Sequence, residues 1–520
     1  MRGLLAITCH LLVETPAIGQ GFNKRYDAFG WGDPQGGWNI ERTAAGHTVI
    51  SGMTNTDSLA PDLFLTHGSV LVTFIDDNGI KLNEKRAYRP YHTAVAGWAN
   101  CCDTIPGGGY VVGGASEDTT GYDEVYLMRF DAEGDTLWTR VFSGPTEDHY
   151  MIGRQVKCTA DGGFLIVGDT GFGDIFATGM DGFAIKTDSQ GNEQWRRIYG
   201  GTPPLWEALV SCDIGPGATY YLAGSEHHDH NNGQYWVMRV DTVGNVLWDV
   251  TWGGPFSEGA TQLITASDGH AFVFSTKGYA PAAAALRPYI AKIDSTDGAI
   301  IWEREYGPTA YSTTLFAGKE TPDGDLIACG VTYAASEANN VQQGLLLRTT
   351  STGDSLWMYS YFYQDDVIST GQGRFYDLLP TNDGGFIAAG AAYNPVGGPY
   401  PPGYSQDTWV VKVDGNGCIV PGCNSTGITE QATNLLDAFT IFPNPAQSGQ
   451  PVTLQLDLPP SVGPGPWQCT VVATDGRVVR SFTITGTTGQ LATDNLSPGL
   501  YYIHIATEGK WLTGGKFIVQ

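Results

Sequence analysis

Positive charge is scarce in this chain. Lysine and arginine number 28 against 54 aspartates and glutamates, a formal net charge of −26. A surface so acidic repels phosphate backbones, so no nucleic-acid partner is expected. Charged residues of both signs fill only 16% of the 520 positions, and no apolar pattern with a 3.6-residue period runs along the chain, so long amphipathic helices are not expected. Beyond the N-terminus no stretch is long and apolar enough to span a bilayer. There is no GxSxG elbow, no HExxH pair, no phosphate-binding loop and no Asp-x-Asp-x-Asp calcium loop.

What the chain has in plenty is glycine, at 70 residues, with aromatics at 12%. Glycine takes the turn positions with positive φ, and aromatics suit pleated surfaces, so the composition reads as all-β with many tight turns. A chain of 520 residues is too long for one ordinary core and calls for a repeat array or several domains.

A repeat is present. Turn glycines Gly79, Gly134, Gly191, Gly244, Gly298, Gly353 and Gly417 close similar phrases such as TDSQGNEQW and VDTVGNVLW. They are spaced by 55, 57, 53, 54, 55 and 64 residues. Trp138, Trp195, Trp248, Trp302 and Trp357 each follow their glycine by four residues. Upstream in each unit lies a second turn with a short apolar strand, as in DGGFLIVG and DGGFIAAG. The third unit therefore reads as strands over Met151–Thr159, Gly163–Asp169, Gly182–Asp188 and Glu193–Tyr199. Four strands in roughly 55 residues make a propeller blade. The last unit stops after Asp414 without its Trp strand, whereas GFNKRYDAFGWGDPQGG near the N-terminus shares the Arg, Tyr and Gly pattern of QWRRIYGGTPP. The expectation is a seven-bladed β-propeller over residues 21–420, its ring closed by Phe22–Phe29 and so left without exposed edges. In the repeated DxxG turn, Asp is expected to cap the turn with its side chain and Gly to supply the left-handed geometry. The Trp is expected to pack between blades.

Residues 1–20 carry an early Arg2, an apolar run over Leu4–Val13 and small residues at Ala17 and Gly19. This suits a signal peptide cleaved near Gly19 or Gln20, the alternative being a buried first strand. Residues 421–434 read as a linker, and 435–520 as a separate small Ig-like β-sandwich of alternating strands between Pro and Gly turns. That last segment holds five acidic and four basic side chains, so nearly all of the excess acid lies in the repeats.

Two resemblances follow. The repeats resemble secreted β-propeller repeat proteins of Bacteroidetes-type bacteria, a likeness that speaks to architecture and hardly to activity. The C-terminal segment resembles the type A sorting domain of type IX secretion through Pro443, Asn444, Pro445, Asp475, Gly476, Arg477, then Gly499, Tyr501 and Lys516, in that order. This resemblance implies a signal peptide, passage through the periplasm, handling by the type IX machinery, and a protein released or attached at the outer surface.

Among the nine cysteines, Cys418 and Cys423 flank IVPG, whose turn could bring them within disulfide range. The adjacent Cys101 and Cys102 invite comparison with the vicinal disulfide of quinoprotein dehydrogenases, also propellers. Cys102, Cys158 and Cys212 precede corresponding turns and read more simply as small residues at a repeated core site.

The second-to-third-strand loops are long and differ in every unit, which makes their face the expected place for recognition. One of them, SEHHDHNNGQ, crowds His227, His228, Asp229 and His230, ligand types for a divalent metal; a solvated polar loop is the plainer reading. Glu147, Asp148, Glu207, Glu258, Asp365 and Asp366 are scattered between units and could offer oxygen ligands to Ca²⁺. The function expected is a surface or extracellular binding module for a glycan or protein. The alternatives are a secreted enzyme, acting on polysaccharide or as a quinoprotein, and a structural surface protein.

Overall fold

Glycine-bounded apolar phrases become strands throughout. The computed structural model describes residues 21–520 except 27–34, 45, 55–68, 88–92, 97–99, 118–122, 145–148, 173–178, 202–205, 228–232, 257, 280–285, 308–311, 337–338, 364–372, 394–405, 421–438, 457–465, 475–476 and 508–509. Residues 1–20 and the linker at 421–434 thus lie outside the described residues. The described residues are all-β, with no helix among them.

Four-stranded antiparallel meanders follow one another. The first is Gln35–Arg42, Thr48–Thr54, Ser69–Ile75 and Lys81–Ala87. In the second, the opening strand is split into Thr93–Ala96 and Cys102–Thr104, ahead of Tyr110–Glu117, Asp123–Phe130 and Thr136–Phe142. The third (His149–Cys158, Phe164–Phe172, Met180–Thr187, Glu193–Tyr199) and the fourth (Trp206–Gly215, Thr219–His227, Gly233–Asp241, Val246–Trp252) share one eight-stranded sheet. Among the described residues, the one strand pairing that joins them is the parallel pairing of Met180 with Trp206. The fifth runs from Gly259–Thr265 to Ile300–Glu305 and the sixth from Thr313–Glu320 to Ser355–Tyr361. The last has Gly373–Pro380, Phe386–Tyr393 and Gln406–Val413, and its fourth strand is Phe22–Tyr26, in register from Phe22 opposite Lys412 to Tyr26 opposite Thr408.

The core lies between neighbouring sheets. Leu165, Val167 and Ala184 of the third meander pack with Leu209, Leu222 and Trp236 of the fourth. Each such valine or leucine is worth about 1.5–3 kcal/mol when fully buried. Phe22, Tyr26, Ile387 and Val410 of the last meander pack in the same way with Ile40, Ile50 and Ile75 of the first.

The repeated turn is a joint between units. Asp188 Oδ1 accepts the amides of Gln190 and Asn192 at 2.9 and 2.8 Å. These bonds and one from the Asn192 side chain hold its carboxyl below the ordinary range. The Tyr at the end of a fourth strand donates to the turn glycine of the next unit. Tyr199 reaches Gly244 O at 2.9 Å, Tyr306 reaches Gly353 O at 2.8 Å and Tyr361 reaches Gly417 O at 2.7 Å. Tyr26 does the same to Gly79 O at 2.8 Å. The strand Trp lies on that glycine too: a Cβ at Gly244, where φ is +83°, would stand 3.0 Å from the Trp195 ring and 2.7 Å from Arg197 Cγ. At Gly79 the ring in that place is Phe22, 2.7 Å from such a Cβ. Gly244→Ala should therefore cost about 2 kcal/mol, from the left-handed backbone and the contact together. A urea midpoint unchanged from wild type would show that this packing is slack.

The first strands are tied to one another by side chains. A β-bulge interrupts each pairing just before Asn39, Gln155, Ser211, Gln262, Ala317 and Asp377. Bulges re-aim the side chains that follow them. Gln155 Oε1 accepts Cys212 N at 2.7 Å, Ser211 Oγ accepts Leu263 N at 2.9 Å and Gln262 Oε1 accepts Gly318 N at 2.5 Å. Asp377 Oδ2, in the last meander, accepts Ile40 N of the first at 3.1 Å.

The C-terminal segment folds on a core of its own. A three-stranded sheet (Phe439–Phe442, Val452–Leu456, Thr488–Leu491) faces a four-stranded one (Trp467–Ala473, Val478–Ile484, Gly499–Thr507, Lys510–Val519). Val452, Leu454, Trp467, Val471, Ile503 and Phe517 fill the space between them.

Candidate functional site: a charged cavity between the first strands

The side chains two residues further along each first strand sort by charge. Glu41, Asp103, Lys157, Asp213 and Lys319 stand at corresponding positions, just ahead of the short turns. All but Asp103, together with Asn100, Cys102, Cys212, Gln262, Ile264 and Glu320, line a cavity of about 280 Å³, and Asp103 stands beside Lys157. Six meanders contribute to its wall.

The acids in and beside it, Glu41 apart, are already engaged. Asp103 accepts Thr104 N at 3.0 Å and Cys158 N at 2.8 Å. Asp213 accepts Ile214 N at 2.9 Å and Thr265 N at 2.7 Å. Glu320 takes the amide and hydroxyl of Ser267 at 2.7 and 2.8 Å. Asp377, fully buried behind Lys319, takes Leu378 N at 2.8 Å and Asn39 Nδ2 at 2.9 Å in addition to Ile40 N.

The donors are held loosely. Lys157 Nζ is 3.9 Å from Asp103 and 3.7 Å from Asp213, and Lys319 Nζ is 3.8 Å from Asp377 and 3.4 Å from Asn100 Oδ1. Their side chains remain 31% and 21% exposed, so the cavity is open to solvent. Burial works against both charges, but the carboxylates around them outweigh it and raise both pKa values. Asn100 follows the split in the second meander's opening strand, with φ at +67°. It is only 4% exposed; its Oδ1 accepts Gln262 Nε2 at 2.7 Å, while its Nδ2 has no partner among the described residues.

Glu41 is the titrating group. Burial, with Asp103 and Asp377 nearby, pushes its carboxyl up to about 7 against the pull of Lys319 and Lys157. Between the ordinary value of 4.5 and about 7, the folded chain keeps a proton that the unfolded chain has lost. Stability from this group therefore falls as pH rises through that window, by about 3 kcal/mol. Glu41→Gln, always neutral, should flatten the difference in melting temperature between pH 5 and pH 7.5. Equal pH slopes in both proteins would remove Glu41 from the account.

The residues singled out from the sequence fall elsewhere. His227 ends the strand Thr219–His227, while His228, Asp229 and His230 lie outside the described residues. Among the described residues no group of three metal-ligating side chains converges. Glu147, Asp148, Asp365 and Asp366 also lie outside them. Glu207 and Glu258 are buried and bind main-chain amides, Gly201 N and Gly254 N, at 2.7 Å each. Cys101, Cys102, Cys158 and Cys212 are free, so the vicinal pair carries thiols rather than a disulfide. Burial pushes the Cys101 thiol up to about 12. Cys418 is disulfide-bonded, while Cys423 lies outside the described residues.

The C-terminal sheets carry the clearest likeness to known proteins. Residues 440–520 match the family model of the secretion system C-terminal sorting domain. This module is a sorting domain. It marks the protein for export through the periplasm to the cell surface or the extracellular space, in the hands of the secretion machinery. The sorting-domain motif is structural in the first instance. Asn444 donates Nδ2 to Lys516 O and accepts Ile518 N, both at 3.0 Å, which fastens the Pro443–Pro445 turn to the final strand. Tyr501 donates to Ser497 O at 2.7 Å and stacks on Phe517. Ala473 N bonds Arg477 O at 3.0 Å across the turn that contains Asp475 and Gly476, themselves outside the described residues. Gly499 opens the strand that Tyr501 continues, and Lys516 is exposed on the last strand.

No curated protein matches the chain. Among solved structures, puromycin hydrolase is similar over 81% of this chain and 58% of its own, at 12% identity and TM-score 0.44. The chain thus spans less than two thirds of that enzyme's length. The extracellular domain of a hybrid two-component system from B. thetaiotaomicron is similar at 8% identity and TM-score 0.31, over 92% of this chain and 72% of its own. PorZ, a surface component of the type IX secretion system of Porphyromonas gingivalis, is similar at 10% identity and TM-score 0.23, over 93% and 81%.

Proposed function

We propose that the protein is an exported seven-bladed β-propeller, residues 21–420, that binds a ligand outside the cell. A linker at 421–434 would join it to the sorting domain at 435–520, which serves translocation. Three cyclic repetitions support the ring. Phe22–Tyr26 completes the last meander, Tyr26 uses Gly79 as Tyr361 uses Gly417, and Asp377 reaches Ile40 as Gln155 reaches Cys212. A Cys418–Cys423 disulfide would pin the chain where it leaves the last strand.

The observation that carries binding over catalysis is the state of the cavity's acids. Asp103, Asp213 and Asp377 are occupied by main-chain amides. A general base needs a free carboxylate within reach of the proton it removes. The long second-to-third-strand loops, on the face opposite the short turns, would offer a second surface to a glycan or protein. Glycan-array binding by the full-length protein tests this reading, and a full array with no signal above background, together with no protein partner captured at the cell surface, counts against it. The enzyme alternative rests on Glu41, whose raised pKa suits a proton donor. Hydrolysis of a polysaccharide by the purified protein, lost in Glu41→Gln, would favour it.

A further inference from the structure

We propose that the cavity between the first strands is a subsite for one small, uncharged polyhydroxy ligand of monosaccharide size, held by Lys157, Lys319 and Asn100. The proposal deepens the binding reading and rests on it. Size sets the first limit: about 280 Å³ lies at the lower end of ligand pockets, far below what an oligosaccharide fills.

Hydrogen-bond supply sets the second. Each oxygen of Asp103 and Asp213 already accepts an amide. Those oxygens keep further lone pairs, but the groups left without a close partner are donors. The two ammonium groups have no partner closer than 3.4 Å among the described residues, and Asn100 Nδ2 has none. An unpaired amide on a side chain 4% exposed is costly unless something accepts from it. The missing partner is therefore an acceptor.

Charge sets the third. Asp103, Asp213 and Asp377 surround the two lysines and, with Glu320, outnumber them, in a protein of net charge −26. An anion gains little from such a setting, and a cation would face two lysines whose charges are held on. A neutral ligand rich in hydroxyl oxygens meets all three conditions. Its oxygens accept from Lys157, Lys319 and Asn100, and a hydroxyl can pair with Glu41 in either protonation state, as acceptor below about pH 7 and donor above.

Calorimetric titration of the full-length protein with D-glucose, D-galactose, D-mannose and L-arabinose, with D-glucuronate and D-glucosamine alongside, tests the proposal. At least one neutral sugar should bind. Asn100→Ala and Lys157→Met should each weaken it roughly tenfold, the loss expected for one hydrogen bond from a buried or charged donor. Ile264→Phe, which fills space without removing a polar group, should abolish binding and serves if the polar variants fold poorly. Binding of only the uronate or the amino sugar overturns the neutral class. Neutral-sugar binding unchanged by Ile264→Phe and Asn100→Ala overturns the location. No sugar binding by a protein that still labels a glycan array, or still captures a protein partner at the cell surface, overturns the subsite and leaves the binding reading standing, whereas silence in all three assays removes the two together.

Discussion

Deleting Phe22–Tyr26 destabilises the whole repeat domain. Phe22 and Tyr26 are 5% and 7% exposed, and losing a buried aromatic costs about 3–5 kcal/mol. The deletion also removes the Asn23 contacts to Trp409 Nε1 at 2.7 Å and Phe362 O at 2.6 Å, and the Arg25–Asp407 ion pair at 3.0 Å. The combined loss is on the order of 10 kcal/mol, comparable with the net stability of a typical domain. It bares the strand Gln406–Val413 as an edge, which invites aggregation. Calorimetry should show a lower and broader transition, and light scattering an early rise. A melting curve identical to wild type would disprove closure by this strand. The milder Tyr26→Phe deletes one bond to Gly79 and should cost about 1 kcal/mol.

Truncation after residue 434 has the largest cellular effect. The sorting domain's main core draws on residues 439–519, so its loss leaves the repeat cores intact and uncovers only Val420, which packs on Tyr502 and Leu500. The shortened protein should fold, pass the inner membrane and remain in the periplasm, protected from protease added to intact cells. Surface delivery at the wild-type level would refute the assignment of translocation to these residues. Asn444→Ala, which frees the Pro443–Pro445 turn from the last strand, should reduce surface delivery without trapping all of the protein.

Much of the architecture is legible in the order of residues. The DxxG phrases mark the joints, because an Asp that caps and a Gly with positive φ are needed wherever the third strand turns into the fourth. The chain around KTDSQGNEQW forms the strands expected, Met180–Thr187 and Glu193–Tyr199. The kinship of Phe22–Tyr26 with Trp195–Tyr199 is visible as well, since an aromatic and a Tyr stand four apart in both. The sorting domain is legible for another reason: its motif residues stand in short groups in a fixed order, Pro443–Pro445 first and Lys516 last.

The cavity is not legible in that way. Glu41, Asp103, Lys157, Asp213 and Lys319 each look like a lone charge near a strand end, dozens of residues from the next. A signal existed in the register, since all of them precede the short turn by the same step, but the loops of greatest variety draw the eye to the other end. Asn100 gives even less warning, because its unpaired amide depends on the split in one strand and on a Gln262 that is 162 residues away.

The sequence by itself determined the strands, the turns, the joints between units and the export module, because each is written in a short local phrase or in the repetition of one. Only the tertiary structure decided which side chains share a cavity, which carboxylates are spent on main-chain amides, and that Glu41 holds its proton to about pH 7. Those properties depend on burial and on charges contributed by distant units, and neither exists until the sheets have packed.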